Sequence, residues 1–212
     1  MKLNQKGILI VLSGPSGVGK GTVRRALFAS GGHNLVYSIS MTTRKPRAGE
    51  IEGVDYYFVT KEEFVKRIKA NKFLEYAQFV GNYYGTPADK IDQLLDEGKE
   101  VLLEIEVEGA MQVKAKRPDA VFIFIAPPSY NSLKERLLTR GTENDEKIKE
   151  RLEKARRELK MATGYDYIVI NDDVDNAADR IKAIIRAEHA RCSRSLEGYF
   201  KLLEDTDYET TN

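Results

Sequence analysis

The chain has 212 residues, of which 42% are hydrophobic and 32% charged, with a net charge of +1. That is enough for one α/β core, and the near-neutral balance gives no global argument for binding nucleic acid or a membrane surface. No apolar run approaches the roughly 20 residues of a membrane helix. A single cysteine, Cys192, excludes an internal disulfide and argues against a cysteine-built zinc site, so a reducing, cytoplasmic setting is expected.

Gly7 to Leu12 is a β-branched-rich run, as expected of a parallel strand buried on both faces. A glycine-rich turn and a helical stretch carrying Val23, Ala26 and Leu27 follow. Val101–Ile105, Val121–Ile125 and Tyr167–Ile170 are further core strands with helices between them. This is the pattern of βα units wound around a mostly parallel sheet. Thr60 with Glu63 reads as a capping box. Thr86-Pro87 reads as an N-cap and first helical residue, with Gly98 just past the other end. Ser129, Thr142 and Asp175 are candidate starts of three later helices. Residues of about 35–97 differ: Leu35–Met41, Val54–Val59 and Phe73–Val80 are short strand candidates with turns at Ala48-Gly49 and Gly81-Asn82, which suggests a small, partly antiparallel insertion. Leu196, Tyr199, Phe200, Leu202 and Leu203 give the polar tail one amphipathic helical stripe.

Gly14-Pro15-Ser16-Gly17-Val18-Gly19-Lys20 follows a buried strand and precedes a helix, which is the P-loop arrangement. Its glycines let backbone N–H groups converge on phosphate oxygens, the helix presents its positive end, and Lys20 adds a point charge. Residue 21 is Gly where the strict pattern has a hydroxyl for magnesium, and Thr22 comes one position later. How a metal is held is therefore open.

Arg44, Lys45 and Arg47 crowd three cations onto one turn; taken alone this reads first as a solvated loop, since charged turns are common, and second as a site for a phosphate partner. Arg136 and Arg140 fall at i,i+4 on a predicted helix and Arg151 on the next, a hairpin able to close over a triphosphate or simply to present a charged surface. Glu104 and Glu106 have the same parity in an apolar strand, so both carboxylates are expected on one face near the ligand crevice of an open sheet. Hydrated magnesium or a hydrogen-bond-donating base would satisfy them, as would solvent at an edge strand. Tyr56, Tyr83 and Tyr84 read, one by one, as packing residues ahead of ligands, because aromatic bodies fill small cores.

Taken together these stretches resemble the guanylate kinase family. The resemblance is carried by Gly14–Gly21, Ser38–Glu50, Gly53–Tyr56, Phe73–Ala77, Gly81–Thr86, Ile125–Ser129, Arg140–Glu143 and Ile170–Asp173, in the family's order over about residues 7–187. It implies a P-loop NTPase-type parallel sheet flanked by helices, with a core of 7–34, 98–130 and 164–187. It also implies a GMP-binding subdomain of about 35–97, a helical lid of about 131–163 and a tail of 188–212. The implied reaction is in-line transfer from ATP, with Mg2+, to GMP or dGMP, as used in purine nucleotide metabolism and GMP recycling. Gly14 to Thr22 and Asn171 would hold ATP. Ser40, Arg44, Arg47, Tyr56 and Tyr84 would hold the GMP phosphate, and Glu75, Thr86 and Glu106 would read guanine. Lys20, Arg44, Arg136, Arg140 and Arg151 would serve transfer, with Glu104 reaching the metal through water. The family usually has Asp where this chain has Glu106. A non-catalytic binding module of the same descent, or a P-loop kinase with another small acceptor, are the alternatives.

Overall fold

The computed structural model describes residues 6–31, 34–139 and 145–207. Five strands form a parallel sheet in the order β2-β7-β1-β8-β9, with β1 (Leu9–Ser13) central between β7 (Glu100–Glu104) and β8 (Val121–Ala126). Beyond these lie β2 (Leu35–Tyr37) and β9 (Tyr167–Ile170) at the two edges. The continuous apolar run of β1 has a simple cause: successive side chains enter opposite cores. Ile10 and Leu12 pack with Val23 and Leu27 of α1 (Lys20–Ala29) and with Ile181 and Ile185 of α7 (Val174–His189). Leu9 and Val11 pack with Ile91 and Leu95 of α3 (Ala88–Asp96) and with Ala110 and Val113 of α4 (Val107–Lys116).

A second, mixed sheet has the order β4-β3-β6-β5, from β3 (Met41–Thr42), β4 (Tyr57–Phe58), β5 (Phe73–Phe79) and β6 (Asn82–Pro87). It owns a small core in which Phe64, from α2 (Lys61–Lys69), stacks on Phe73 at 4.3 Å and on Tyr83 at 5.3 Å. Strand β5 serves both cores, because Phe73 joins the small one and its neighbour Leu74 the main one. The β5–β6 register shifts between Phe73 and Tyr76. Helices α5 (Tyr130–Thr139) and α6 (Asp145–Lys160) meet through Leu133, Leu137, Leu152 and Ala155. The tail forms α8 (Cys192–Asp207). Among the described residues no helix is long and apolar enough to cross a membrane.

Four local expectations change. Leu35–Tyr37, expected with the insertion, pairs instead with β7 in the main sheet, and only Met41 onward joins the second sheet. Thr86 and Pro87 end strand β6, so the helix starts at Ala88 with Pro87 at its N-cap and no side-chain cap. The last core helix is capped by Asp173, whose side chain accepts from the Asn176 N–H, and not by Asp175. Strand β7 stops at Glu104, and Glu106 is the N-cap of α4 in extended backbone, so the two carboxylates do not share a strand. Thr60 caps α2, Ser129 accepts from the Ser132 N–H at the start of α5, and Gly98 follows α3 with φ 74°. Thr142 lies outside the described residues.

Candidate active site

The loop between β1 and α1 is built for close backbone approach. Gly14 has φ 150°, and a Cβ there would lie 2.3 Å from the Ile125 carbonyl oxygen. Gly19, at φ 96°, is the N-cap of α1 and offers no capping side chain, so the helix's first N–H groups stay open to an anion. Lys20 Nζ is folded back onto the loop, donating to the Gly14 carbonyl at 2.6 Å and the Pro15 carbonyl at 3.2 Å. Burial lowers its pKa, and the nearby carboxylates Glu104, Glu158 and Glu106 oppose that shift.

Three distant elements hold the loop. Arg136 donates to the Val18 carbonyl at 3.0 Å and to the Asn171 carbonyl at 3.2 Å. Asn171 Nδ2 donates to the same Val18 oxygen at 2.7 Å, while its Oδ1 is buried with no hydrogen-bond partner among the described residues. Arg151 donates to Ser16 Oγ at 3.1 Å. Of the three arginines singled out in the sequence, Arg136 and Arg151 converge on the loop; Arg140 lies outside the described residues.

Two cavities meet at the turn from β7 into α4. One, of about 360 Å³, is lined by Ser16, Gly19, Lys20, Thr22, Glu104 and Glu106 among others. The other, of about 530 Å³, is lined by Ser40, Tyr56, Glu75, Tyr84, Glu104 and Glu106. Residues 104–106 are their common wall. Although Glu106 left the strand, it still faces the crevice: its Oε2 accepts from Lys154 Nζ at 2.7 Å. Glu104 Oε2 lies 3.0 Å from Arg24 Nε.

In the larger cavity Glu75 is 7% exposed, and its Oε1 accepts from Thr86 Oγ1 at 2.6 Å. Burial pushes its carboxyl pKa up, against the Thr86 hydrogen bonds and Lys116, which pull it down. Thr86 is therefore the buried support of Glu75. The Tyr56 and Tyr84 rings meet edge to face at 6.1 Å, and the Arg44 guanidinium lies 5.3 Å from the Tyr56 ring centroid. Arg44 is gripped by Glu50 through a two-bond fork of 2.9 and 2.8 Å. That fork, with the Arg47 N–H donating at 2.8 Å, holds the Glu50 carboxyl at about 2 and raises the Arg44 pKa further. The Arg47 side chain stands exposed at the turn.

Sequence reasoning passed over Glu158, Lys154 and Arg24. Glu158 is 5% exposed; its Oε2 accepts from the Ser16 N–H at 3.3 Å, and its Oε1 lies 3.7 Å from Lys154 Nζ. Burial raises its pKa, opposed by Lys154 and the Ser16 N–H. A signal existed: Arg151, Lys154 and Glu158 sit at helical spacing on one face of α6. Arg24 sits one helical turn beyond Gly21.

The guanylate kinase family model matches residues 6–188. The chain is 60% identical over 209 residues to the guanylate kinase of Onion yellows phytoplasma, covering 98% of this chain and 99% of that one. It is 54% identical over 202 residues to the guanylate kinase of Bacillus subtilis, covering 95% and 99%. Among solved structures it resembles the guanylate kinase of Anaplasma phagocytophilum, with a TM-score of 0.74 and 36% identity over 97% of each chain.

Proposed function

The chain belongs to the guanylate kinase family and phosphorylates GMP to GDP with ATP, and on that basis we propose how its residues divide the work. ATP takes the cavity on the glycine loop, and GMP or dGMP takes the cavity lined by Ser40, Tyr56, Glu75 and Tyr84. The observation that carries this reading is the common wall at Glu104–Glu106 between the cavity at the glycine loop and the carboxylate-lined cavity, an adjacency that direct transfer requires. Residues of about 35–97, apart from β2, act as the acceptor-binding part; α5 and α6 act as the lid; the setting is cytoplasmic.

Glu75 and Glu106 accept from the guanine N1–H and 2-amino groups, a donor arrangement that adenine lacks. Thr86 keeps one lone pair of Glu75 occupied and fixes its direction. Arg44, Arg47, Ser40, Tyr56 and Tyr84 hold the acceptor phosphate, with Glu50 keeping the Arg44 fork in place before GMP arrives. The orphaned Asn171 Oδ1 suits an adenine amino donor.

In the transfer step a GMP phosphate oxygen attacks the γ-phosphorus in line, the new P–O bond forms, and the bond to the β-phosphate oxygen breaks to release ADP. Lys20 exchanges its carbonyl partners for phosphate oxygens, and Arg136, Arg140 and Arg151 offset the remaining charge. Positioning and charge complementarity suffice, so no side chain forms a covalent intermediate. Closure of the lid excludes water as a competing acceptor.

Among the described residues no group of three or more His, Cys, Asp or Glu side chains could cage a metal ion. That suits Mg2+, which keeps several waters and rests on phosphates plus one or two carboxylates, here Glu104. When bound it supplies neutralisation of the β and γ phosphates.

A coupled ADP-release assay with GMP, dGMP, AMP, UMP and CMP as acceptors tests the assignment. Strong preference for GMP and dGMP is expected. Equal turnover of AMP would overturn the roles of Glu75 and Glu106.

A further inference from the structure

Helix α6 reaches both cavities from one face, on which Arg151, Lys154 and Glu158 follow each other at helical spacing. Two of the three meet the same residue of the glycine loop. Arg151 donates to Ser16 Oγ at 3.1 Å, and Glu158 Oε2 accepts from the Ser16 N–H at 3.3 Å. The residue between them, Lys154, is part of the lining of the other cavity. Its Nζ donates to Glu106 Oε2 at 2.7 Å and stands 3.7 Å from Glu158 Oε1. At these distances the ammonium bonds the first carboxylate and only attracts the second.

The two carboxylates assigned to guanine are therefore held in different ways. Glu75 and its partner Thr86 are both buried, on neighbouring strands of one sheet. Glu106 has a side chain 69% exposed, its partner comes from another element, and α4 makes no use of its carboxylate as a cap. An ion pair that wet is weak and exchanges easily. A guanine donating to Glu106 competes with Lys154 for the carboxylate. An ATP phosphate at the Ser16 N–H competes with Glu158 for the amide.

We propose that Lys154 couples the two substrates by moving between these carboxylates. When guanine takes Glu106, the ammonium shifts onto Glu158 and draws it off the Ser16 N–H, which opens the loop to phosphate. When ATP displaces Glu158 first, that carboxylate takes the ammonium and leaves Glu106 to guanine. Such coupling is reciprocal, so each substrate tightens the other by the same factor. Lys154 is a positioning residue, since it acts through two other side chains and touches no reacting atom. The inference rests on the ATP and GMP sites proposed above, and it adds to lid closure a route that depends on one charge.

Isothermal titration of GMP, with and without a saturating non-hydrolysable ATP analogue, measures the coupling factor. In the wild type the analogue is expected to tighten GMP by roughly fivefold, the low end for coupled sites. Lys154→Met keeps the side-chain stem and removes the charge. It should bind GMP alone as tightly as the wild type or more tightly, because Glu106 loses a competitor, and yet lose most of the coupling. Lys154→Arg, which keeps the charge, should retain most of it. Glu158→Gln should lose the same coupling, and Lys154→Met combined with Glu158→Gln should lose no more than either alone, as for two residues on one route. A wild-type factor near one, a factor unchanged in Lys154→Met, or losses that add in the double variant overturn the proposal. Glu106→Gln separates these results from a misplaced base pocket. It should weaken GMP in the absence of the analogue, and unaltered affinity there overturns the pocket assignment together with the relay built on it.

Discussion

Glu158 Oε2 accepts a hydrogen bond from the Ser16 amide, 3.3 Å away, although 142 positions separate the two residues in the chain. That N–H belongs to the loop assigned to phosphate, so a carboxylate from α6 occupies ground that an anionic ligand needs. ATP must displace it, and two like charges about 4 Å apart cost on the order of 1 kcal/mol even in water.

Glu158→Gln should therefore tighten ATP by roughly fivefold, measured by isothermal titration at neutral pH. Because burial raises the Glu158 pKa, wild-type ATP affinity should also improve as pH falls toward that raised value, and the variant should lose this slope. Weaker ATP binding in the variant would mean that Glu158 supports the loaded loop instead of competing for it.

Glu75 carries a cost with a definite sign. A carboxyl whose pKa rises on folding holds its proton more tightly in the folded chain, so it lowers stability as pH climbs past the ordinary 4.5. Glu75→Gln removes that cost, and thermal unfolding at pH 7 should shift up by about 2–4 °C for roughly 1 kcal/mol. The same change removes a charged acceptor from the base pocket, so KM for GMP should rise by roughly 10–100-fold. A variant with unaltered KM would displace Glu75 from guanine reading.

Glu50 behaves in the opposite way. Its pKa is depressed to about 2 by the Arg44 fork and the Arg47 N–H, so its contribution to folding is complete above about 4.5 and is lost as pH falls through 2. Carbon-13 NMR of the Glu50 side chain should titrate near 2 in the wild type and clearly higher in Arg44→Met, where only the Arg47 N–H still holds it below the ordinary 4.5. An unchanged midpoint in the variant would contradict the fork as the cause.

Asn171 ties β9 to the loop through the Val18 carbonyl, and Gly19 sits so close that a Cβ there would be 2.6 Å from Asn171 Nδ2. Asn171→Ala should destabilise the chain by about 1–3 kcal/mol in denaturant titrations and raise KM for ATP several-fold. KM for GMP should stay within about twofold, since Asn171 does not line that cavity.

The glycine loop was legible in the sequence because its chemistry is local: the strand, the turn and the helix start are contiguous. Other features were hidden for physical reasons. Three residues at Leu35–Tyr37 carry no mark of which sheet they join. Glu106 preserved the alternation of a strand because an N-cap is itself extended, here with φ −73° and ψ 161°. Asp173 and Asp175 are chemically equal as caps, and only the turn geometry chose between them. Lys154 and Glu158 sit in a highly charged helix, where nothing local separates a solvated pair from one laid over a loop 142 positions away.

The split of β5 between two cores also sets a lever. Phe73 and Leu74 are neighbours anchored in different cores, and the register shift beside them is where the ladder is least regular. If the second sheet turns about this point when GMP binds, Glu75 sits next to the fulcrum and travels little, while Arg44 at the far end sweeps the longest arc. The chain would then inspect the base with a nearly stationary carboxylate and swing only its phosphate grip. Spin labels should report it: on GMP addition, the distance from α7 to a label at Ala48 should shorten by several times the change seen from Ala77, and equal changes would mean the sheet slides instead of turning.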